Sequence, residues 1–446
     1  MSKETDPLVY DQDATSGLIN QAAGEDALID EVVKDSSLQS EYHVFFNIFK
    51  AVVGAGSFAL PAGFAAGGIW GSIFGVIFIA VLSSYTIKIL IRTKVHMKHT
   101  GSYPDLLFAA LPHPYGTICR FISFWMIFIL VMGACTVYLV FCGTLLVKLF
   151  NADSATWSII GMGCVLALIS WTPRLKEVAF FSLMGDVALL VAMGVVIAYG
   201  IVEFDLKPLS AYQQVPMSFK NFADFYGPVV FLFGVHILVV PLQQQMAKPE
   251  KFEKTLDVSL IVVVISNVMF ALFAWMLYDA HVSSPITDSL CKNLHHIQNV
   301  AQVALIGDLI FTFSIVFVGG RDVVEALFFS TGDFTKKTHL KRMLIRTAMV
   351  ALCTFLGALL VHKFGSLVNL ISGTTFSALC FVFPPIIYLA GLWPYEYRTA
   401  KSTTWPLIIC TLNVTIIFFG IFSAILTTQQ AIAGLGAPEA QPCKAQ

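Results

Sequence analysis

The sequence predicts an all-α integral membrane protein with eleven transmembrane helices. Of its 446 residues, 57% are hydrophobic and only 12% are charged, which is too little charge to cover the surface of a soluble protein of this length. Apolar runs of about 20 residues, long enough to cross a bilayer as a helix, recur along the chain after residue 41. They lie at 44–66, 68–91, 121–149, 156–172, 178–202, 222–246, 257–280, 299–329, 343–361, 365–391 and 404–427.

The segments outside these runs are short, so the chain has no room for a large soluble domain. Residues 1–41 carry ten acidic residues against Lys3 and Lys34, and they contain no apolar run of the signal-peptide type. This composition is typical of a disordered acidic cytoplasmic tail. Residues 42–427 form the predicted transmembrane domain, and residues 428–446 form a short extracytoplasmic tail.

The distribution of lysine and arginine predicts the orientation in the membrane. With a cytoplasmic amino terminus, sixteen lysines and arginines lie in inner loops or at inner helix ends. The outer side then has only five: Lys148, Lys207, Lys220, Lys292 and Lys363. Because cytoplasmic loops of membrane proteins are enriched in positive charge, the amino terminus is expected inside.

Composition and motifs also exclude several functions. The net charge of −1 gives no reason to expect a nucleic-acid partner, and the nine cysteines show no metal-ligand spacing. We find no P-loop, no G-x-S-x-G or H-E-x-x-H motif and no paired acids within one span. The chain is therefore not expected to be an enzyme or to carry a metal or cofactor. Membrane lipids are its expected surroundings, and no obligate protein partner is inferred.

Two of the predicted spans are interrupted in the same way. The first contains "VVGAGSFALP" and the sixth contains "FLFGVHILVVP", so Gly54 precedes Pro61 by seven residues, as Gly234 precedes Pro241. If ten spans form two halves of five, these spans begin the two halves, which then have opposite topologies. Breaks at corresponding positions of two halves indicate a binding site near the bilayer midplane.

A broken helix exposes both kinds of backbone polar group. Amides at the start of the second half-helix point into the break with the positive end of the helix dipole, which suits a carboxylate. Carbonyl groups that end the first half-helix can accept from an ammonium group or coordinate a cation. A zwitterionic amino acid fits both.

Five motifs in order resemble the amino acid/auxin permease family of the APC superfamily. "FNIFKAVVGAGSFALP" is similar to the family's first span, and "GSYPDLLFAALP" to its cytoplasmic segment after span 2. "GACTVYLVF", "VVPLQQQMAKPEKF" and "SGTTFSALCFVFPP" resemble spans 3, 6 and 10 of the proton-coupled amino acid transporters. The resemblance covers nearly the whole chain after residue 42.

The resemblance implies the five-plus-five inverted repeat of bacterial leucine transporters, with one extra helix. It implies secondary active transport of amino acids by alternating access, in which spans 1, 2, 6 and 7 rock against spans 3, 4, 8 and 9. An amino-acid sensor of the same fold is the alternative function. The expected location is the plasma membrane or an endolysosomal or vacuolar membrane.

The substrate site is predicted at the two breaks. We expect the substrate carboxylate to meet the amides of Ala55, Gly56 and Ser57, which follow Gly54. The substrate amino group would then meet carbonyls near Phe231 to Gly234. Other candidate residues are two possible gates and one side chain of span 3: Phe231, Phe233 and Tyr138.

The driving ion is predicted from the few ionisable residues within spans, which are costly there and are functional candidates. These are Lys50, Asp186, His236 and Asp308, of which Asp186 and His236 are the coupling candidates. The motifs favour protons over sodium, with an uncoupled carrier as a further alternative. Two departures weaken the proton reading: Asn47 stands where the proton-coupled branch has a histidine, and Gln243 where it has an acid.

Sodium coupling would require oxygen ligands from spans 1 and 8. The hydroxyls of Thr312 and Ser314 are the candidates in span 8. Residues two apart on a helix do not share a face, so at most one of them can point at such a site.

Overall fold

The computed structural model describes residues 39–99, 101–171, 178–216, 218–290, 297–328, 336–400 and 402–436. Within these ranges the chain forms helices joined by loops and short 3-10 turns, and its β-structure is one isolated bridge between Gln39 and Met246. The predicted all-α class is therefore confirmed. The predicted tail at 1–41 lies outside the described residues up to residue 38.

The helices follow the apolar runs of the sequence. In chain order they are α1 (Glu41–Val52), α2 (Ala55–Gly67), α3 (Ile69–His96), α4 (Tyr103–Ala110), α5 (Tyr115–Phe150), α6 (Ala155–Ser170), α7 (Val178–Glu203), α8 (Phe219–Phe233), α9 (His236–Gln244), α10 (Phe252–Tyr278), α11 (Ile297–Phe328), α12 (Lys336–Leu359), α13 (Phe364–Ile371), α14 (Phe383–Gly391), α15 (Trp393–Thr399) and α16 (Thr404–Gly436). Two π-helical stretches, Ser372–Phe376 and Ala378–Val382, join α13 to α14.

Helices lie at all eleven predicted segments, but not all of them are long enough to be counted as spans. Seven helical segments of the described chain are long and apolar enough to cross a membrane, and α1 with α2 makes an eighth if the bent pair is one span. The shorter apolar helices are α6 and the fully described parts of α7 and α11. The count of eleven spans thus stays a prediction.

Both predicted breaks are present at the expected glycines. The axes of α1 and α2 differ by 52°, with Val53 and Gly54 in extended conformation between them. The second break lies at Gly234 and Val235, between α8 and α9. Pro61 and Pro241 lie inside α2 and α9, so the helices end at the glycines and not at the prolines.

The two broken spans are antiparallel neighbours. At one end, the Gln39 N–H donates to the Gln245 carbonyl at 2.7 Å, which places the start of α1 beside the end of α9. At the other end, Gln213 Nε2 and Asn221 Nδ2 donate to the Ala66 carbonyl at 3.0 and 3.2 Å, and α2 packs along α8. The opposite directions bring the two breaks together in the middle of the molecule.

Charged side chains tie α1–α3 and α8–α10 into one group of helices, here called the bundle. Lys88 pairs with Asp257 at 2.7 Å and Arg92 with Glu253 at 2.6 Å, and both pairs join α3 to α10. The buried Lys94 Nζ also donates to an amide oxygen of α9, at 2.6 Å. These contacts lie toward one end of the bundle and hold its helices together.

A second group of ionic contacts joins α6, α11 and α12, which with α5 form the scaffold. The buried Arg346 of α12 donates through Nε to Glu325 Oε1 of α11 at 2.6 Å. Its Nη1 lies 3.3 Å from the carbonyl oxygens of Ser170 and Trp171, at the end of α6. The α5 helix packs along both α11 and α6.

Candidate functional site

The break in the first span exposes hydrogen-bond donors beside open space. The Ser57 N–H donates to the Gly54 carbonyl at 3.0 Å, whereas the amides of Ala55 and Gly56 begin α2, where an α-helix offers no acceptor. A Cβ built on Gly54 would meet no atom within 4 Å. The Ser57 Oγ is buried and, among the described residues, has no hydrogen-bond partner. The start of α2 therefore presents unpaired donors with the positive end of its dipole.

Gly56 lets α2 and α8 approach closely. A Cβ on Gly56 would lie 3.1 Å from Phe231 Cδ1 and 3.5 Å from the Leu232 backbone. The Phe231 ring in turn packs edge to face on Phe376, with the ring centroids 5.5 Å apart. Gly56 is thus a packing position, whereas Gly54 borders open space.

Phe376 contacts the second break directly, and the sequence did not identify it as a site residue. A Cβ on Gly234 would collide with the Phe376 ring. Phe376 ends the first π-helical stretch, inside the motif "SGTTF" that the sequence had singled out for the family. An aromatic residue within a motif typical of the family was the sequence feature that could have identified Phe376 as a site residue. The π-helical backbone that directs its ring could not be read from the sequence.

Aromatic side chains close one side of the breaks. Phe58 of α2 packs on Phe141 of α5, with centroids 5.6 Å apart, and Phe141 packs on Phe364 at 5.4 Å. Tyr138, one turn before Phe141, is 9% exposed. The structure places Phe233 in the core at 1% exposed, so of the two predicted gates only Phe231 contacts an aromatic ring across the break.

His236 is buried at the start of α9. Its Nε2 lies 2.8 Å from Thr86 Oγ1, and Thr86 donates its own hydroxyl hydrogen to a backbone carbonyl of α3. With the hydroxyl hydrogen on that carbonyl, the hydroxyl oxygen is an acceptor for Nε2–H of His236. The Nδ1 atom has no hydrogen-bond partner in the described chain. Thr86 was not singled out from the sequence.

The candidates for sodium coupling, Thr312 and Ser314, lie on α11. Ser314 Oγ donates to the Ile310 carbonyl at 2.9 Å, the backbone contact usual for a helical serine. Thr312 is half-buried, one turn after Asp308, which lies 3.6 Å from Lys50 Nζ. The side chain of Asp186 lies outside the described residues.

The two positions that depart from the proton-coupled pattern carry uncharged amide side chains that form hydrogen bonds. Asn47 Nδ2 donates to Gln39 Oε1 at 2.7 Å. Gln243 Oε1 accepts from the buried Lys94 at 2.6 Å. Gln243 thus pairs with a lysine of the bundle through an uncharged group.

Two cavities lie away from the breaks. One of about 510 Å³ is bordered by α1 and α10, and one of about 440 Å³ lies between α7 and α10. Across the described ranges, no group of three or more His, Cys, Asp or Glu side chains is placed to hold a metal ion. The candidate substrate site remains the open space beside Gly54.

Comparison with known proteins shows the family of the chain. The family model described as "Transmembrane amino acid transporter protein" matches residues 39–433. The protein named amino acid transporter AVT3B of Arabidopsis thaliana is 28% identical, over 80% of this chain and 86% of its own. The vesicular inhibitory amino acid transporter of Homo sapiens is also 28% identical, over 78% of this chain and 69% of its own.

Solved structures show the same fold at low sequence identity. A Na+-coupled sialic acid symporter superposes with a TM-score of 0.51 and 11% identity, over 86% of this chain and 89% of its own. Mhp1, a nucleobase-cation-symport-1 family transporter, gives 0.52 and 9%, over 90% and 92%. The chain thus has the leucine-transporter type of fold that the motifs implied. On the match of the family model, it belongs to the transmembrane amino acid transporter family.

Proposed function

We propose that this protein moves amino acids across a membrane by alternating access, with a proton as the driving ion. The observation that carries the proposal is the first break, where the amides of Ala55 and Gly56 begin a helix, the buried Ser57 hydroxyl has no partner among the described residues, and a Cβ on Gly54 would meet no atom within 4 Å. A substrate carboxylate is the anion that this helix start suits. The adjacent antiparallel break supplies the carbonyl groups for the substrate amino group.

The contacts between helices support movement of the bundle against the scaffold. Ionic contacts join α3 to α10 and α9 within the bundle, and α11 to α12 and α6 within the scaffold. At the breaks, Gly56 lies against Phe231 within the bundle, and Phe231 packs on the ring of Phe376, so these contacts include no ion pair. Moving the bundle against the scaffold as a rigid body therefore breaks few ion pairs, because more of the pairs lie within each group than between the two groups.

The contacts of the candidate sodium ligands favour a proton over sodium as the driving ion. Ser314 uses its hydroxyl for a backbone carbonyl, and the space between α1 and α11 holds the Lys50 ammonium beside Asp308. His236 in the second break has an unpartnered Nδ1 among the described residues, and a ring nitrogen of this kind can accept a proton. We propose His236 as the proton-binding group, with Asp186 as the alternative.

We propose an internal membrane as the location, with the amino terminus in the cytoplasm. Relatives named vesicular inhibitory amino acid transporter support a vesicular or endolysosomal membrane over the plasma membrane. The excess of lysine and arginine in alternate loops supports the orientation. Fluorescence microscopy of the tagged chain, with protease protection of an amino-terminal tag, tests both.

Uptake of radiolabelled amino acids into proteoliposomes tests the transport function. We expect uptake of at least one common amino acid, accelerated by an inward proton gradient and unaffected by removal of sodium. The double variant Gly54→Leu and Gly56→Leu fills the break and should abolish uptake. Its matched control is Gly161→Leu with Gly194→Leu, because both of these glycines are exposed and a Cβ on either would meet no atom within 4 Å.

Full uptake by the double break variant would contradict the site. Uptake that requires sodium and ignores the proton gradient would contradict the driving ion. Failure to move any amino acid across a panel of the common ones, with folded protein in the vesicles, would contradict the function itself.

A further inference from the structure

We infer that Lys50 is a built-in cation: its ammonium, beside Asp308, supplies between bundle and scaffold the positive charge that a dissolved sodium ion would otherwise supply. The inference rests on the proposed function, since it concerns what holds and drives the moving helices. On this inference, the Lys50–Asp308 pair determines that sodium is not the coupling ion.

The pair is buried where three helices meet. Lys50 Nζ of α1 lies 3.6 Å from Asp308 Oδ1 of α11, and the two side chains are 9% and 3% exposed. Gly185 of α7 lies against both: a Cβ there would collide with Asp308 Oδ1 and approach Lys50 Nζ to 3.1 Å. Because Gly185 has no side chain, the Lys50 and Asp308 side chains can occupy the space beside α7.

The pair differs from the other ionic contacts in what it connects. The α1 helix belongs to the bundle, where its own Glu41 pairs with Lys251 at 2.5 Å, whereas α11 belongs to the scaffold. Another described pair that joins α5 to the bundle side, Lys148 with Asp288, lies near the loops and is about one-quarter exposed. Lys50 and Asp308 therefore form a buried ionic link across the interface that must open.

Burial makes each charge depend on the other. Removing one partner of a buried ion pair leaves an uncompensated charge, which is strongly unfavourable. If Lys50 is neutralised, the Asp308 carboxylate needs a replacement cation from solution, and the half-buried Thr312, one turn along the same face of α11, carries a hydroxyl oxygen of the kind that binds sodium. With Lys50 present, the ammonium already fills this role, and sodium has no place to bind.

The test exchanges sodium for N-methylglucamine during uptake driven by a fixed proton gradient. Wild-type uptake should be the same in both media. Lys50→Met removes the charge and keeps a similar length, so its uptake should fall roughly tenfold or more in N-methylglucamine and recover several-fold in sodium. Lys50→Met combined with Asp308→Asn should show no sodium response, because no carboxylate then needs a cation.

Two further variants separate a local charge effect from general damage. Lys50→Arg keeps the positive charge and should remain independent of sodium. Lys94→Met removes a buried lysine whose partner lies within the bundle, and it should gain no sodium response. Sodium chloride should also raise the melting temperature of purified Lys50→Met and leave that of the wild type unchanged, a readout that does not need transport.

The outcomes distinguish this inference from the proposed function. Wild-type uptake that fails without sodium would overturn the inference even though amino acid transport stands. Lys50→Met with unimpaired uptake and no response to sodium in either measurement would also overturn it. If the wild type moves no amino acid, the proposed function fails. The effect of sodium chloride on the melting temperature of Lys50→Met then decides by itself whether removal of the ammonium leaves a sodium site.

Discussion

Gly54 offers a way to test the carboxylate site without filling it. Gly54 is the N-cap residue of α2, its φ of −170° is extended backbone that any residue adopts, and a Cβ there meets no atom within 4 Å. Serine can therefore replace it without a steric clash. A serine at an N-cap accepts a hydrogen bond from the amide two or three residues later, which here is that of Gly56 or Ser57. In Gly54→Ser, the serine hydroxyl would therefore compete with the proposed substrate carboxylate for the same backbone amides.

The size of the effect follows from the strength of an N-cap. An N-cap hydroxyl contributes about 1 kcal/mol to a helix. If the substrate must displace that bond, its apparent affinity falls by the same free energy, which is roughly fivefold in KM at about 1.4 kcal/mol per tenfold. The maximal rate should change little, because the backbone of α2 stays where it is. The fold should be slightly more stable, since the helix gains a cap.

The assay is concentration-dependent uptake into proteoliposomes, with Gly54→Ala as the matched control. Alanine adds the same Cβ without a hydroxyl, so it should keep the wild-type KM. Equal KM values for Gly54→Ser and wild type would show that the α2 amides do not bind the substrate. A similar rise in KM for Gly54→Ala would show that bulk, and not hydrogen bonding, matters at this position.

Three other predictions concern the packing around the break and the scaffold. Gly56→Ala should lower the maximal uptake rate, because its Cβ would lie 3.1 Å from Phe231 and that ring is already packed on Phe376. Phe376→Ala should shift a competition panel toward larger amino acids, and an unchanged ranking would remove Phe376 from the site. Glu325→Gln should destabilise the scaffold by about 3–5 kcal/mol, read as a lower melting temperature, since it leaves the buried charge of Arg346 uncompensated.

The sequence predicted the helical class and both breaks because these depend on local composition. Apolar runs determine which segments become helices in a membrane, and the glycines at residues 54 and 234 mark where the helices end. The prolines at residues 61 and 241 were weaker guides, since both lie within helices. Pro61 and Pro241 are the seventh and sixth residues of their helices, beyond the first four amides, so each removes one intrahelical hydrogen bond without ending its helix.

The site was only partly predictable because its contacts come from distant parts of the chain. Ala55, Gly56 and Ser57 follow one another in sequence, so the start of α2 could be expected from the motif alone. Phe376 reaches the breaks from the other half of the chain through a π-helical backbone, and Thr86 meets His236 across 150 residues. Single-sequence patterns carry no information about such pairings between helices.

The position of the charge near the first break explains the departure at Asn47. The motifs place a histidine at this residue in the proton-coupled branch, and here the amide instead donates to Gln39, next to the end of α9. One turn closer to the break, Lys50 carries a charge that faces the scaffold. The described contact of Asn47 is with Gln39, beside the bundle helix α9, whereas Lys50 pairs with Asp308 of the scaffold. The first span therefore lacks a titratable group at residue 47 and has the Lys50 ammonium one turn nearer to the substrate site.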